Sequence, residues 1–252
     1  MGTIVTIDVY TTAGVSDAEV AELGGQLDRA RAILHHADEV FSTWQPHSPI
    51  SRLRSGEITG AQAPAAVAEV LERCATAREL SSGWFDPWAM PGGIDPTGYV
   101  KGWAAQNALA AFSARYIVGA IVNAAGDIAS FGGLGNGKPF RIGIADPFSP
   151  RHLAEIVELA GAIATSGSYE RGSHLIDPHL GRPSARAASA SVTGPDLGLA
   201  DALATGLAVA GTPGLAFIEP LENYEALIIG FDGSRRWTER FPFAPHEATP
   251  SH

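Results

Sequence analysis

Cysteine is almost absent: Cys74 stands alone among 252 residues, so there is no internal disulfide and no Cys-rich metal cluster. Basic charge is scarce too. Seventeen Lys and Arg face 27 Asp and Glu, for a formal net charge of −10, and the cations form no long run. That balance argues against a nucleic-acid backbone or an anionic membrane surface as a general partner. A compact anionic ligand stays admissible where a metal ion or a few placed cations offset the repulsion. No apolar run reaches the roughly 18 residues that a membrane span needs. The opening "MGTIVTIDVY" has no basic n-region, apolar h-region or lipidation cysteine. The expectation is a cytoplasmic protein, unless a leader was trimmed from the chain. Two catalytic signatures are also missing. No G-x-G-x-x-G opens a helix, because "FGGLGNG" precedes a strand, and there is no G-x-S-x-G elbow.

What is present suits a sizeable core: 45% of residues are hydrophobic and 17% charged. "TIVTIDVY" reads as a first strand. Val20, Leu23, Leu27, Ala30, Ile33, Leu34, Ala37 and Phe41 recur at intervals of three and four, which predicts a long amphipathic helix capped by Ser16. A second helix is expected from Pro64 to Leu80. Residues 81–103, "SSGWFDPWAMPGGIDPTGYVKGW", read as ordered loop, followed by a helix over about 100–113. Strands are expected at "YIVGAIVN", "RIGIA", "LAEIVELAGAIAT", "ASASVTG", "GLAFIEP" and "EALIIGFDG", with a Gly-rich turn region at 123–140. Helices and strands mix without regular βαβ alternation. The expected class is therefore α+β: one unit over 1–241, in one lobe or two closely packed ones, with a flexible polar tail at 242–252.

Against that background, "LADALATGLAVAG" (199–211) is unusual: an apolar helix carrying Asp201 and Thr205 one turn apart on a single stripe. One reading makes Asp201 an N-cap, with Pro195 and Gly198 just upstream. The other makes the pair a seat for a hard cation, two oxygens offered to Mg²⁺. In "ATSGSYERGSHLIDPHLGRP", Thr165, Ser166, Gly167 and Ser168 offer hydroxyls and turn amides of the kind that cradle phosphate. His174 follows, either a structural hydrogen-bonder or a base. "GIDPTGYVKGWA" sets Asp95 six residues before Lys101, with Gly98 between them. It is either a surface loop ending in a solvated lysine, or a loop whose backbone meets a ligand at Gly98 while Lys101 offsets its charge. "GWFDP" puts Trp84 and Phe85 beside Asp86, as core or as a stacking wall. Gly126-Asp127 in "NAAGDI" reads as a tight turn. His35 and His36 diverge by about 100° on their helix, so they do not ligate jointly.

Taken in order, "MGT" before a strand, "FSTW…SPISRL", "GWFDP", "DPTGYVKGWA", "NAAGDI", "ATSGSYER…HLIDPHLGRP" and "ASVTG…ADALATGLAVAG" resemble the ApbE family, the FAD:protein FMN transferases, over roughly 1–211. The resemblance implies an α+β protein that binds FAD with Mg²⁺, transfers FMN to a Thr or Ser hydroxyl of an acceptor flavoprotein and releases AMP. It implies Asp201 and Thr205 as side-chain metal ligands and the Gly98 carbonyl as a backbone ligand. It implies that Met1, Trp44, Trp84, Phe85, Asp86, Asp95, Lys101 and Leu175 line the FAD site, with His174 as the base. Electrostatics agrees with it: a chain of net −10 needs local compensation to hold a pyrophosphate, and Lys101 beside a cation at Asp201 and Thr205 would supply it. His174 or Asp201 would take the proton of the acceptor hydroxyl. Three positions depart from the family pattern: Arg54 where Asn is frequent, Ala125 where Gly is usual, and Trp44 where Tyr is frequent. Two alternatives are Mg²⁺-dependent FAD hydrolysis to FMN and AMP, and FAD binding without turnover.

Overall fold

The computed structural model describes residues 3–167 and 175–245. Its elements run β1 (Val5–Thr11), α1 (Asp17–Phe41), α2 (Pro49–Arg54), α3 (Ala65–Leu80), α4 (Thr97–Leu109), β2 (Ile117–Ala124), β3 (Asp127–Gly132), β4 (Phe140–Asp146), β5 (Ser149–Leu159) and β6 (Ala162–Gly167). There follow β7 (Ile176–Asp177), β8 (Arg182–Pro183), β9 (Ser189–Gly194), α5 (Leu197–Ala210), α6 (Leu215–Ile218), β10 (Glu225–Ile229) and β11 (Arg235–Trp237). Seven strands form one antiparallel sheet in the order β1-β2-β3-β6-β9-β10-β11, while β4-β5 and β7-β8 pair separately. The α+β expectation holds.

Strand alternation divides the core in two. Ala120, Val122, Ala124, Ala129, Ala162, Ala164, Ala190, Val192 and Ala226 share one cluster with Leu203, Leu207 and Ala208 of α5 and with Ala105 and Ala108 of α4. Their neighbours in sequence, Ile121, Ile128, Ile163 and Leu227, pack instead with Phe140, Ile144, Val157 and Leu159 of the β4-β5 pair. The sheet thus has helices on one face and a small second sheet on the other. Its helix face is paved mostly with alanine, so a helix that is apolar all round can settle close against it.

Ser16 caps α1 as expected, in a reciprocal capping box with Glu19. Other expectations need correction. The helix expected at 100–113 is α4, which starts three residues earlier, at Thr97. "LAEIVELAGAIAT" is not one strand: Gly161, at φ +97°, breaks it, sending β5 and β6 into different sheets. The Gly-rich region 123–140 contains β3. "GLAFIEP" holds the short helix α6, not a strand. Its Phe217 and Ile218 are buried in either geometry, and a four-residue apolar run does not tell the two apart. Helix α2, with Ser48 as its cap, was not anticipated. At the end of the chain, Pro242 and Ala244 hydrogen-bond to β5, so the segment expected to fray begins in order. Among the described residues, no helix is long and apolar enough to cross a membrane.

Candidate active site on α4, α5 and β6

Asp196, not Asp201, caps α5: its carboxylate accepts the Leu199 amide at 2.8 Å. The capping reading of Asp201 therefore fails. Asp201 lies within the helix and is only 3% exposed, in the same stripe as Thr205. A carboxylate so placed costs several kcal/mol unless compensated. Opposite it, on the helix face of the sheet, Ser166 of β6 stands 3.2 Å from the Thr205 hydroxyl, Oγ to Oγ1.

Helix α4 completes the corner. It crosses α5 so closely that a Cβ on Gly102 would stand 2.4 Å from the Leu197 carbonyl oxygen, which only glycine permits. That crossing brings the first turn of α4 to the polar stripe. A Cβ on Gly98 would lie 3.6 Å from Thr205 Oγ1 and 3.2 Å from the buried ring of Phe85. The Gly98, Thr205, Ser166 and Phe85 positions, distant in sequence, therefore meet.

One turn along α4, Lys101 forms an ion pair with Asp127 Oδ2. Asp127 is 1% exposed, and its Oδ1 accepts the Thr165 amide at 3.1 Å. One buried carboxylate thus ties α4 to β6 beside Ser166. Sequence reading missed this residue. "NAAGDI" does make a tight turn, with Ala125 and Gly126 both at positive φ and the Gly126 amide donating to Asn123 Oδ1. The turn's consequence is that Asp127 opens β3, and the only sequence signal was an acidic residue following a Gly turn.

The remaining candidates are distributed as follows. The Thr165 hydroxyl bonds the Ser191 hydroxyl at 2.8 Å on the opposite face of the sheet from Ser166. Trp84 lies between the Arg186 guanidinium, 4.9 Å over its ring, and His179, edge-on at 4.5 Å. Asp86 accepts from Arg78 Nε at 2.7 Å and from the Trp88 amide at 2.9 Å. Leu175 is buried in the main core. Asp95 accepts from the Thr97 amide and hydroxyl at the start of α4. Trp44 is 92% exposed and rims a cavity of about 480 Å³ with Ser51, Arg54, Glu57 and Gly92. Gly167 ends β6. Met1, Ser168 and His174 lie outside the described residues. Among the described residues, no three His, Cys, Asp or Glu side chains form a metal-binding group.

A family model described as the ApbE family matches residues 1–92 and 90–228. The chain belongs to the ApbE family. It is 38% identical over 127 residues to a FAD:protein FMN transferase of Rhodobacter capsulatus, across 47% of this chain and 24% of that protein. It is 36% identical over 151 residues to a FAD:protein FMN transferase of Vibrio cholerae, across 55% of this chain and 45% of that one. The chain thus spans less than half the length of these two relatives. In three dimensions it shares the fold of the flavin transferase ApbE from Vibrio cholerae, with a TM-score of 0.76, 24% identity and 94% coverage of both chains. The same holds for the apo flavinyl transferase ApbE of Pseudomonas stutzeri, with a TM-score of 0.78, 22% identity and coverage of 95% of this chain and 92% of that one.

Proposed function

We propose that this ApbE-family protein is a Mg²⁺-dependent FAD:protein FMN transferase, moving FMN from FAD to a Thr or Ser hydroxyl of an acceptor flavoprotein and releasing AMP. The observation that carries this reading is the buried Asp201 on an otherwise apolar helix, with Thr205, Ser166 and the first turn of α4 gathered in the same corner. The relatives named FAD:protein FMN transferases support it.

The donor chemistry suits a hard cation. Asp201 and Thr205 would hold Mg²⁺ through a carboxylate and a hydroxyl, with the Gly98 carbonyl as a third oxygen. Mg²⁺ is commonly held by one or two carboxylates plus substrate phosphates and water, a demand that one buried carboxylate beside a hydroxyl suits. When bound, the ion supplies charge compensation to the phosphate oxygens of the dinucleotide.

This chain's own groups do the rest. Lys101, held by Asp127, contributes a positioned ammonium near the same oxygens. Ser166 and the end of β6 at Gly167 offer polar contacts to phosphate, while the Thr165 hydroxyl, committed to Ser191, does not. Trp84 and the exposed Trp44 provide aromatic surface for the rings, backed from the core by Phe85 and Leu175, with Asp86 and Asp95 beside them. His174 or Asp201 accepts the proton of the acceptor hydroxyl. That oxygen forms its bond to the FMN phosphorus as the bond from this phosphorus to the bridging oxygen breaks, and AMP leaves.

The test incubates the protein with FAD, Mg²⁺ and an acceptor carrying the flavinylation motif. A fluorescent, covalently labelled acceptor and one AMP per label are expected, and both should disappear with a chelator. FAD that binds while the acceptor stays unlabelled overturns transfer. In that case, AMP formed without acceptor supports the hydrolytic alternative, and FAD intact after long incubation supports a binding protein.

A further inference from the structure

At the end of α2, Arg54 reaches across 38 residues of sequence to the loop before α4. Its Nε donates to the Gly92 carbonyl at 2.7 Å, its Nη2 donates to the Pro91 carbonyl, and its Nη1 stands 3.7 Å from Asp95 Oδ2. The guanidinium's fixed fork matches three acceptors at once, which an ammonium or an amide does not. The loop is shaped to receive it. Gly92 and Gly93 both adopt positive φ, and a Cβ on Gly92 would stand 2.7 Å from Arg54 Nη2.

The other oxygen of Asp95 accepts from Thr97, the first residue of α4, whose next residue is Gly98 beside Thr205. A continuous chain of contacts therefore links Arg54 to Asp95, then to the first turn of α4, and so to the polar stripe of α5. Arg54 also lines the cavity that Trp44 rims.

We propose that Arg54 is a positioning residue for the dinucleotide site, acting through Asp95 to hold the first turn of α4 against Asp201 and Thr205. The proposal rests on the FAD and Mg²⁺ reading above. Arg54 touches no reacting atom in it. Its part is to fix the loop 91–95 before substrate arrives, so that binding carries less of an ordering cost.

The experiment measures FAD affinity by flavin fluorescence in the presence of Mg²⁺, together with KM, kcat and melting temperature, for the parent, Arg54→Gln, Arg54→Lys, Gly92→Ala, Asp95→Asn and the double variant R54Q/D95N. Arg54→Gln is expected to raise Kd and KM for FAD about tenfold, the loss of charge-assisted bonds, with kcat within about twofold. Melting should stay within about 3 °C of the parent. Arg54→Lys should stay closer to the Gln variant than to the parent, because charge returns without the fork. Gly92→Ala, which displaces the guanidinium without removing it, should weaken FAD binding in the same direction and serves if the Gln variant does not fold. The double variant should bind no more weakly than D95N alone. FAD affinity equal to the parent's in Arg54→Gln, or losses that multiply in the double variant, overturns the positioning role. A parent protein that itself does not bind FAD sinks the functional reading and this role with it, an outcome distinct from the other two.

Discussion

The proposed function gives Asp201 and Trp44 to one dinucleotide, yet they live under opposite physical conditions. Asp201 is 3% exposed on a helix fixed between an alanine-paved sheet and α4, whereas Trp44 is 92% exposed beside an open cavity. The floor of the site is packed as tightly as any core, and its polar groups are held by neighbours from α4, α5, β3 and β6. The rim is built from loops and the short helix α2, and is held by polar contacts such as those of Arg54. In the proposed function, charge is handled on the floor, where low dielectric makes each placed group count for more. Ring recognition is there proposed for the rim, where apolar surface can be covered without disturbing the fold.

The largest expected effect falls on the floor. Asp201→Asn keeps the shape but halves the oxygen donors, and should lower Mg²⁺-dependent turnover at least about a hundredfold, since even groups that only support metal ligands cost 10- to 100-fold. Mg²⁺ with FAD should raise the melting temperature of the parent and leave that of the variant unmoved, a linkage measurement by calorimetry. Unchanged turnover would show that the stripe holds no ion and that floor and rim do not differ as described.

Next comes Gly102→Val, which drives a branched side chain into the Leu197 carbonyl where α4 crosses α5. A loss of about 3 kcal/mol or more in urea unfolding is expected. A smaller loss would mean that the floor has slack. On the rim, Trp44→Ala should weaken FAD binding about tenfold, the value of one stacked base, with unfolding unchanged. A drop in stability there would erase the distinction between the two regions. The smallest effect concerns Cys74, buried between α1, α3 and α4, whose thiol is pushed up to about 12 by burial. A thiol reagent at pH 8 should leave it unmodified until the protein unfolds.

The floor was partly legible in the sequence because its chemistry violates a pattern. A carboxylate and a hydroxyl at positions 201 and 205 interrupt an apolar helix, and such an interruption is visible without any structure. The partners of that stripe were not legible from spacing. Ser166 reaches Thr205 across 39 residues, and Asp127 reaches Thr165 across 38. Thr165 and Ser166 look equivalent in a hydroxyl-rich run, yet strand alternation sends them to opposite faces of the sheet, and only the register with β9 says which is which. Arg54 drew notice only as a departure from a family pattern, and its engagement with the loop 91–95 depends on where α2 ends. Long, periodic elements such as α1 were read correctly, while α6 and the break at Gly161 were missed because a short apolar run fits several geometries.

The alanine paving under α5 constrains how this protein can diversify. Where methyl groups already meet at contact distance, almost every replacement adds bulk that no neighbour can absorb, so new acceptors or altered ring preference have little room to arise beneath the helix. Variation is directed instead to segments such as 43–47, where exposed residues can change while the sheet and its two crossing helices keep their spacing.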